Sequence, residues 1–122
     1  MGDLSKHFSR SEFQCKHCTK FINVPALIAL LEDAREHFGR SITINSGTRC
    51  QEHNKVVGGE DHSYHLTGQA ADIVVEGISP DAVWHFFKNT MNHGGLGRYS
   101  TWTHVDVRPT KQLIEWDRRT KT

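Results

Sequence analysis

The sequence predicts an α+β fold, a single small domain in which an antiparallel sheet is flanked by helices. Two segments led by proline carry apolar residues at helical spacing. Several short segments alternate and are rich in β-branched residues, and the order runs helix, strand, helix, strands. A chain of 122 residues is near the commonest domain size and is read as one domain over 1–122. Residues 1–24 form an N-terminal arm in this reading, and 109–122 a C-terminal tail.

In the arm, Ser9-Arg10-Ser11-Glu12 fits a capping box, with Phe8 and Phe13 as anchors on the core. Pro25 opens the clearest helix, since its missing N–H would be unpaired in a first turn anyway. Leu27, Leu30, Leu31, Ala34 and Phe38 make its apolar stripe, and Gly39 is a natural end. Residues 41–45 read as a strand that Ser46-Gly47 breaks, which sets Arg49 just past a strand end. A short helix over 51–57, a polar turn over Gly58-Gly59-Glu60-Asp61 and a loop from His62 to Gly68 follow. Residues 69–75 read as a second strand.

Ser79 and Pro80 then start a second helix reaching about Asn89, with Ala82, Val83, Phe86 and Phe87 on its apolar face. Residues 94–99 and 102–107 read as two strands around Ser100-Thr101. The segment KQLIEWDRRTKT reads as a short helix or arm that frays into a basic tail.

Composition excludes several classes of function. Fifteen Lys+Arg against fourteen Asp+Glu leave a net charge of +1, so no charge field points to nucleic acid. No segment is long and apolar enough to span a membrane, and MGDLSKHFSRSEF lacks the apolar stretch of a signal peptide. The expectation is a chain made in the cytoplasm, active as a monomer. The three cysteines are too few for a closed disulfide framework. A structural zinc at Cys15, Cys18 and Cys50 would need His17 or His53 as well. Such sites usually show two regular ligand pairs, and only one pair is present, so free thiols or one loosely held disulfide are expected.

The chemistry-bearing stretch is SGTRCQEHNKVVGGEDHSYHLTGQAAD, from Ser46 to Asp72, together with Thr103-His104-Val105-Asp106. Asp72 stands at the mouth of the apolar run Ile73-Val74-Val75, where a carboxylate needs a partner or a metal. Strand alternation puts His104 and Asp106 on one face and turns Val105 and Val107 toward the core. Two imidazoles and a carboxylate, His65, Asp72 and His104, suit a catalytic zinc that keeps one position open.

The run Ser46-Gly47-Thr48-Arg49, with Glu52-His53-Asn54, Gly58-Gly59, Ser63-x-His65 and Gly68-x-Ala70-x-Asp72-Ile73, is followed by Gly97-x-Tyr99 and His104-Val105-Asp106-Val107-Arg108. In this combination and order the chain closely resembles the zinc D-alanyl-D-alanine carboxypeptidase family, above all its small single-domain peptidoglycan peptidases of phage and bacteria. The resemblance implies the fold shared by D,D-peptidases and hedgehog domains, and one catalytic Zn2+ on His65, Asp72 and His104. It also implies that Arg49 holds a substrate carboxylate, for which a guanidinium fork is suited.

Zinc would then activate water for amide hydrolysis, and a general base would move its proton. Some relatives carry Glu-x-x-His, but Thr101 stands at that glutamate's position here. Asp106 is the candidate base, or else the carboxylate that orients an imidazole. Glu60 and Asp61 are outside candidates.

His62 is the candidate donor to the oxyanion, Ser63 supports the loop beside the substrate, and Tyr99 and Trp102 line the cleft. The expected substrate is the peptide stem or cross-link of peptidoglycan, reached at the cell wall after phage lysis or as a virion-associated enzyme. The alternative is a non-catalytic zinc domain of the hedgehog type that binds a partner.

Overall fold

The computed structural model describes residues 2–60 and 62–119. Asp61 of the expected polar turn and the end of the basic tail lie outside them. Ten elements follow in order: α1 (Arg10–Phe13), α2 (Pro25–Phe38), β1 (Ile42–Ser46), α3 (Gln51–Val56), a 3-10 turn (Tyr64–Thr67), β2 (Ala70–Val75), α4 (Pro80–Thr90), β3 (Gly94–Arg98), β4 (Thr103–Asp106) and β5 (Leu113–Asp117).

The α+β expectation holds, with a mixed rather than purely antiparallel sheet. Its strand order is β1-β2-β4-β3-β5. The first three pairings are antiparallel, and β5 joins the edge of β3 in parallel. The segment expected as a helix or arm is therefore the fifth strand. Its Leu-Ile-Glu-Trp-Asp run had the alternation of a strand, but its partner β3 lies far away in the chain.

Local chemistry explains the helix ends. In α1 the Glu12 carboxylate accepts from the Ser9 amide at 2.6 Å. The α2 helix starts at Pro25 and ends at Gly39, whose φ of 63° is the left-handed conformation that glycine adopts without strain. In α4 the Ser79 hydroxyl accepts from the Ala82 amide at 3.2 Å. Ala82 itself is exposed, and Val83 and Phe87 carry the buried stripe; in α2 the buried residues are Leu27, Ile28, Leu31 and Ala34, with Leu30 only partly covered. A one-residue shift in the packed face accounts for both differences from the periodic reading.

One face of the sheet is apolar. Ile42, Ile44, Ala71, Ile73, Val75, Leu96 and Val105 pack with α2, α4, Phe8 and Phe13 into one core cluster. The two phenylalanines of the arm meet edge to face, 5.7 Å between ring centres. The other face carries the polar residues, because alternation reverses every second side chain.

Register decides what meets on that face. Asp72 pairs directly with His104, His104 with Gly97, and Gly97 with Trp116. One step along, Ala70 pairs with Asp106 and Asp106 with Gly95. An irregularity in β1 between Ile44 and Ser46 brings Ser46 opposite Asp72, so a bulge turns the serine to the polar face.

Gly95 and Gly97 leave the space that the polar residues occupy. A Cβ on Gly95 would lie 2.3 Å from Asp106 Oδ2 and 2.8 Å from Arg108 Nε. Gly95→Ala should therefore cost stability by roughly 1–3 kcal/mol through overpacking. Urea unfolding checks this, and an unchanged midpoint would show that the Asp106 carboxylate has room to shift.

Candidate metal centre

The site is built from the β2–β4 pairing upward. His104 Nδ1 lies 2.9 Å from Asp72 Oδ1, and His65 Nε2 lies 3.3 Å from the same oxygen. The three ligand atoms fall within 4.8 Å of one another. For tetrahedral zinc with nitrogen and oxygen ligands at about 2.0–2.2 Å, neighbouring ligand atoms stand roughly 3.4 Å apart. The donor set and its spacing fit such an ion, and ligands from two strands and a turn converge without rearrangement of the backbone.

Each imidazole is aimed by a second contact. His65 sits in the 3-10 turn that Ser63 caps, its hydroxyl accepting from the His65 amide at 3.2 Å. The ring Nδ1 donates to the Gly47 carbonyl at 2.7 Å, which leaves Nε2 facing Asp72. The His104 ring is reversed: Nε2 bonds Asp106 Oδ2 at 2.8 Å, and Nδ1 faces Asp72. Such outer contacts set the tautomer and angle of metal-binding rings.

This geometry corrects the expectation that Asp106 is the general base. Its side chain is fully buried. Arg108 Nε donates to Oδ1 at 2.8 Å and Nη2 to Oδ2 at 2.7 Å, while the Arg108 amide adds a third bond at 3.1 Å. With His104 on the remaining side, no lone pair of Asp106 faces the cleft. Asp106 orients His104.

Arg49 also serves the ligand set. Its Nη2 reaches Asp72 Oδ2 at 3.3 Å, its Nε donates to Ser46 Oγ at 3.0 Å and its Nη1 to Asn54 Oδ1 at 3.1 Å. Asp72 thus offers Oδ1 to the histidines while Oδ2 is held by a cation. Among the described residues, three of the five guanidinium N–H groups are engaged in these bonds.

A cleft of about 500 Å³ opens over this centre, lined by Arg49, Glu60, His62, Ser63, Tyr99, Trp102 and His104 among others. Tyr99 and Trp102 stack with ring centres 4.5 Å apart. The sequence reading missed several other residues of its wall, among them Tyr64, Arg108, Glu115 and Trp116. Trp116 stands 5.0 Å from the His104 ring and donates from Nε1 to the Tyr99 hydroxyl at 3.0 Å. It was missed because β5 was not read as a strand. Arg108 stacks over the Tyr64 ring at 4.3 Å while gripping Asp106.

The sequence profile of the peptidase M15 family matches residues 6–106. The chain belongs to the peptidase M15 family. Members of this family are zinc-dependent metallopeptidases, and the His65–Asp72–His104 cluster is a possible metal site of the required kind. No curated protein and no solved structure matches the chain significantly.

Electrostatics of the metal-free M15 centre follow from burial and pairing. Burial alone would raise the Asp72 pKa, but hydrogen bonds from His104 and His65 hold the carboxylate well below its usual range. Burial opposes ionisation of Asp106 as well, and the bonds from Arg108 and His104 overrule it. Burial favours neutral His104, yet its bonds to Asp106 and Asp72 raise its pKa.

The depressed carboxylates stabilise the fold above their unfolded pKa of about 4 and lose that contribution as pH falls through their folded values. The raised histidine stabilises below about 6.5 and loses its contribution as pH climbs through its folded value. Chelated protein should therefore be most stable between about pH 4 and 6.5. Urea midpoints across pH test this, and a Asp106→Asn variant should flatten both limbs. The same variant should weaken zinc binding by about 10–100-fold, read by competition with a chromophoric chelator. Unchanged affinity would mean that Asp106 does not aim the ring.

Proposed function

We propose that the chain hydrolyses the peptide stems of peptidoglycan, with His65, Asp72 and His104 holding one catalytic zinc. The observation that carries this reading is the direct cross-strand pairing of Asp72 with His104, with His65 at the same carboxylate oxygen. The family match supports the reaction class. When bound, zinc supplies the Lewis acidity that makes water nucleophilic near neutral pH and polarises the scissile carbonyl.

The chain's own residues do the rest. The two remaining N–H groups of Arg49 bind the terminal carboxylate of the stem, which favours a D,D-carboxypeptidase cut releasing the last D-alanine. Tyr99, Trp102 and Trp116 give the peptide an apolar wall, and Ser63 holds the loop that carries His65. With Asp106 turned away from the cleft, proton transfer falls to a group on the cleft wall. His62, on the cleft wall, is that group, since an imidazole can both accept and donate a proton.

D-Alanine release from purified muropeptides is the measurement. Chelation and His65→Ala should each abolish it, and added zinc should rescue the chelated protein only. Cleavage of cross-linked dimers without D-alanine release would make the enzyme an endopeptidase instead. Full zinc loading with no hydrolysis of any muropeptide would overturn the reading in favour of a non-catalytic zinc domain. His62→Ala should lower kcat by about 10²–10⁴-fold with zinc content unchanged. If Glu60→Gln carries that loss instead, the proton carrier is the glutamate.

A further inference from the structure

One residue past Arg49 the chain reaches Cys50, and a second set of soft donors gathers there. Cys50 Sγ lies 3.8 Å from Cys15 Sγ and 3.4 Å from His17 Nδ1. Cys18 completes a trio whose sulfurs all fall within 4.8 Å of one another. All three thiols are free.

The three sulfurs have the spacing of zinc thiolates, and the His17 ring, 3.4 Å from Cys50 Sγ but outside that trio, would swing in as the fourth ligand. With zinc–sulfur bonds of about 2.3 Å and a zinc–nitrogen bond of about 2.0–2.1 Å, neighbouring sulfurs stand about 3.8 Å apart and sulfur and nitrogen about 3.6 Å apart. The expectation of unconnected thiols rested on a single Cys-x-x-Cys pair. The fold supplies the third thiol from 35 residues along the chain, and an imidazole from inside the pair.

The backbone around the cluster is shaped for converging sulfurs. Between Cys15 and Lys20 the chain turns back on itself, the Cys15 amide donating to the Lys20 carbonyl at 2.7 Å and the Thr19 amide to the Cys15 carbonyl at 2.8 Å. Thr19 takes a φ of 64°, and among the described residues it is the only one other than glycine with positive φ. A β-branched residue holds that conformation only where its surroundings demand it.

Amides are aimed at the sulfurs too. The Cys50 N–H donates to Cys15 Sγ and the His53 N–H to Cys50 Sγ, each at 3.4 Å. His53 contributes this amide, while its ring stacks on His17 with centres 6.3 Å apart.

We propose that Cys15, Cys18, Cys50 and His17 form a second metal site, a structural Cys3His zinc centre distinct from the catalytic cluster. It clamps the N-terminal segment to the stretch Gly47–Cys50. That stretch already bonds the arm through the Thr48 amide and the Phe13 carbonyl at 2.8 Å. It also carries the Gly47 carbonyl that orients His65, and Arg49, which steadies Asp72. The second zinc thus locks the outer supports of the first.

Metal analysis of the full chain purified under reducing conditions tests this without any assay of hydrolysis. Wild type should carry about two zinc ions per chain, and X-ray absorption should show zinc–sulfur scattering near 2.3 Å. Cys18→Ser, at an exposed position, should remove one ion and the sulfur signal. His65→Ala should remove one ion and keep the sulfur signal. A cobalt-substituted His65→Ala protein should retain the intense near-ultraviolet thiolate-to-metal band, and Cys18→Ser should lose it. The proposal falls if wild type binds one ion that His65→Ala eliminates, or if Cys18→Ser leaves zinc content and sulfur scattering unchanged. It also falls if the purified chain is about 2 Da light from a disulfide joining two of these cysteines.

Discussion

The site depends on the register between β2 and β4. Because side chains alternate along a strand, the pairing that sets Asp72 against His104 also sends Ala71 and Val105 into the core. A slip by one residue would bury the ligands among α2 and α4 and turn the core toward the cleft. The apolar face therefore enforces the polar one. Core packing, and not any attraction among the ligands, selects the geometry that a metal would use.

The polar face must still survive its own burial. Charges alternate along it in one connected series: Arg108, Asp106, His104, Asp72 and Arg49. Each carboxylate lies between an arginine and His104, so desolvation is offset by pairing and hydrogen bonds at every step. The bulge at Ser46 and the glycines opposite Asp106 and His104 serve the same end, giving the series room and a last hydrogen-bond acceptor.

Much of this was legible from the sequence and some was not, for physical reasons. Period and caps located α2, α4 and four strands, since those signals are local. The polar face of His104 and Asp106 followed from alternation alone. Alternation says which side a residue faces, however, and not whether Arg108 will fold back over it, so it left Asp106 open between a base and a brace, and the Arg108 bonds favour the brace. β5 was missed because a five-residue edge strand draws its order from β3, a partner its own segment does not contain. The thiol cluster was named and set aside because only one regular ligand pair shows in the sequence; the return of the arm across β1 is what brings Cys15 and Cys50 together.

The brace explains why the proton carrier has to be sought in the cleft. His104 is held between two carboxylates, Nδ1 toward Asp72 and Nε2 toward Asp106. Only Nδ1 faces Asp72 and the candidate metal position, so that is the atom that would ligate a metal. Nε2 is turned to Asp106, which Arg108 keeps ionised. A base that gave up this arrangement to collect a proton from water would release the ring it aims and leave Arg108 unpaired. Under the proposed function, proton traffic would be separated from the ligand scaffold and would fall to groups on the cleft wall, where His62 and Glu60 stand.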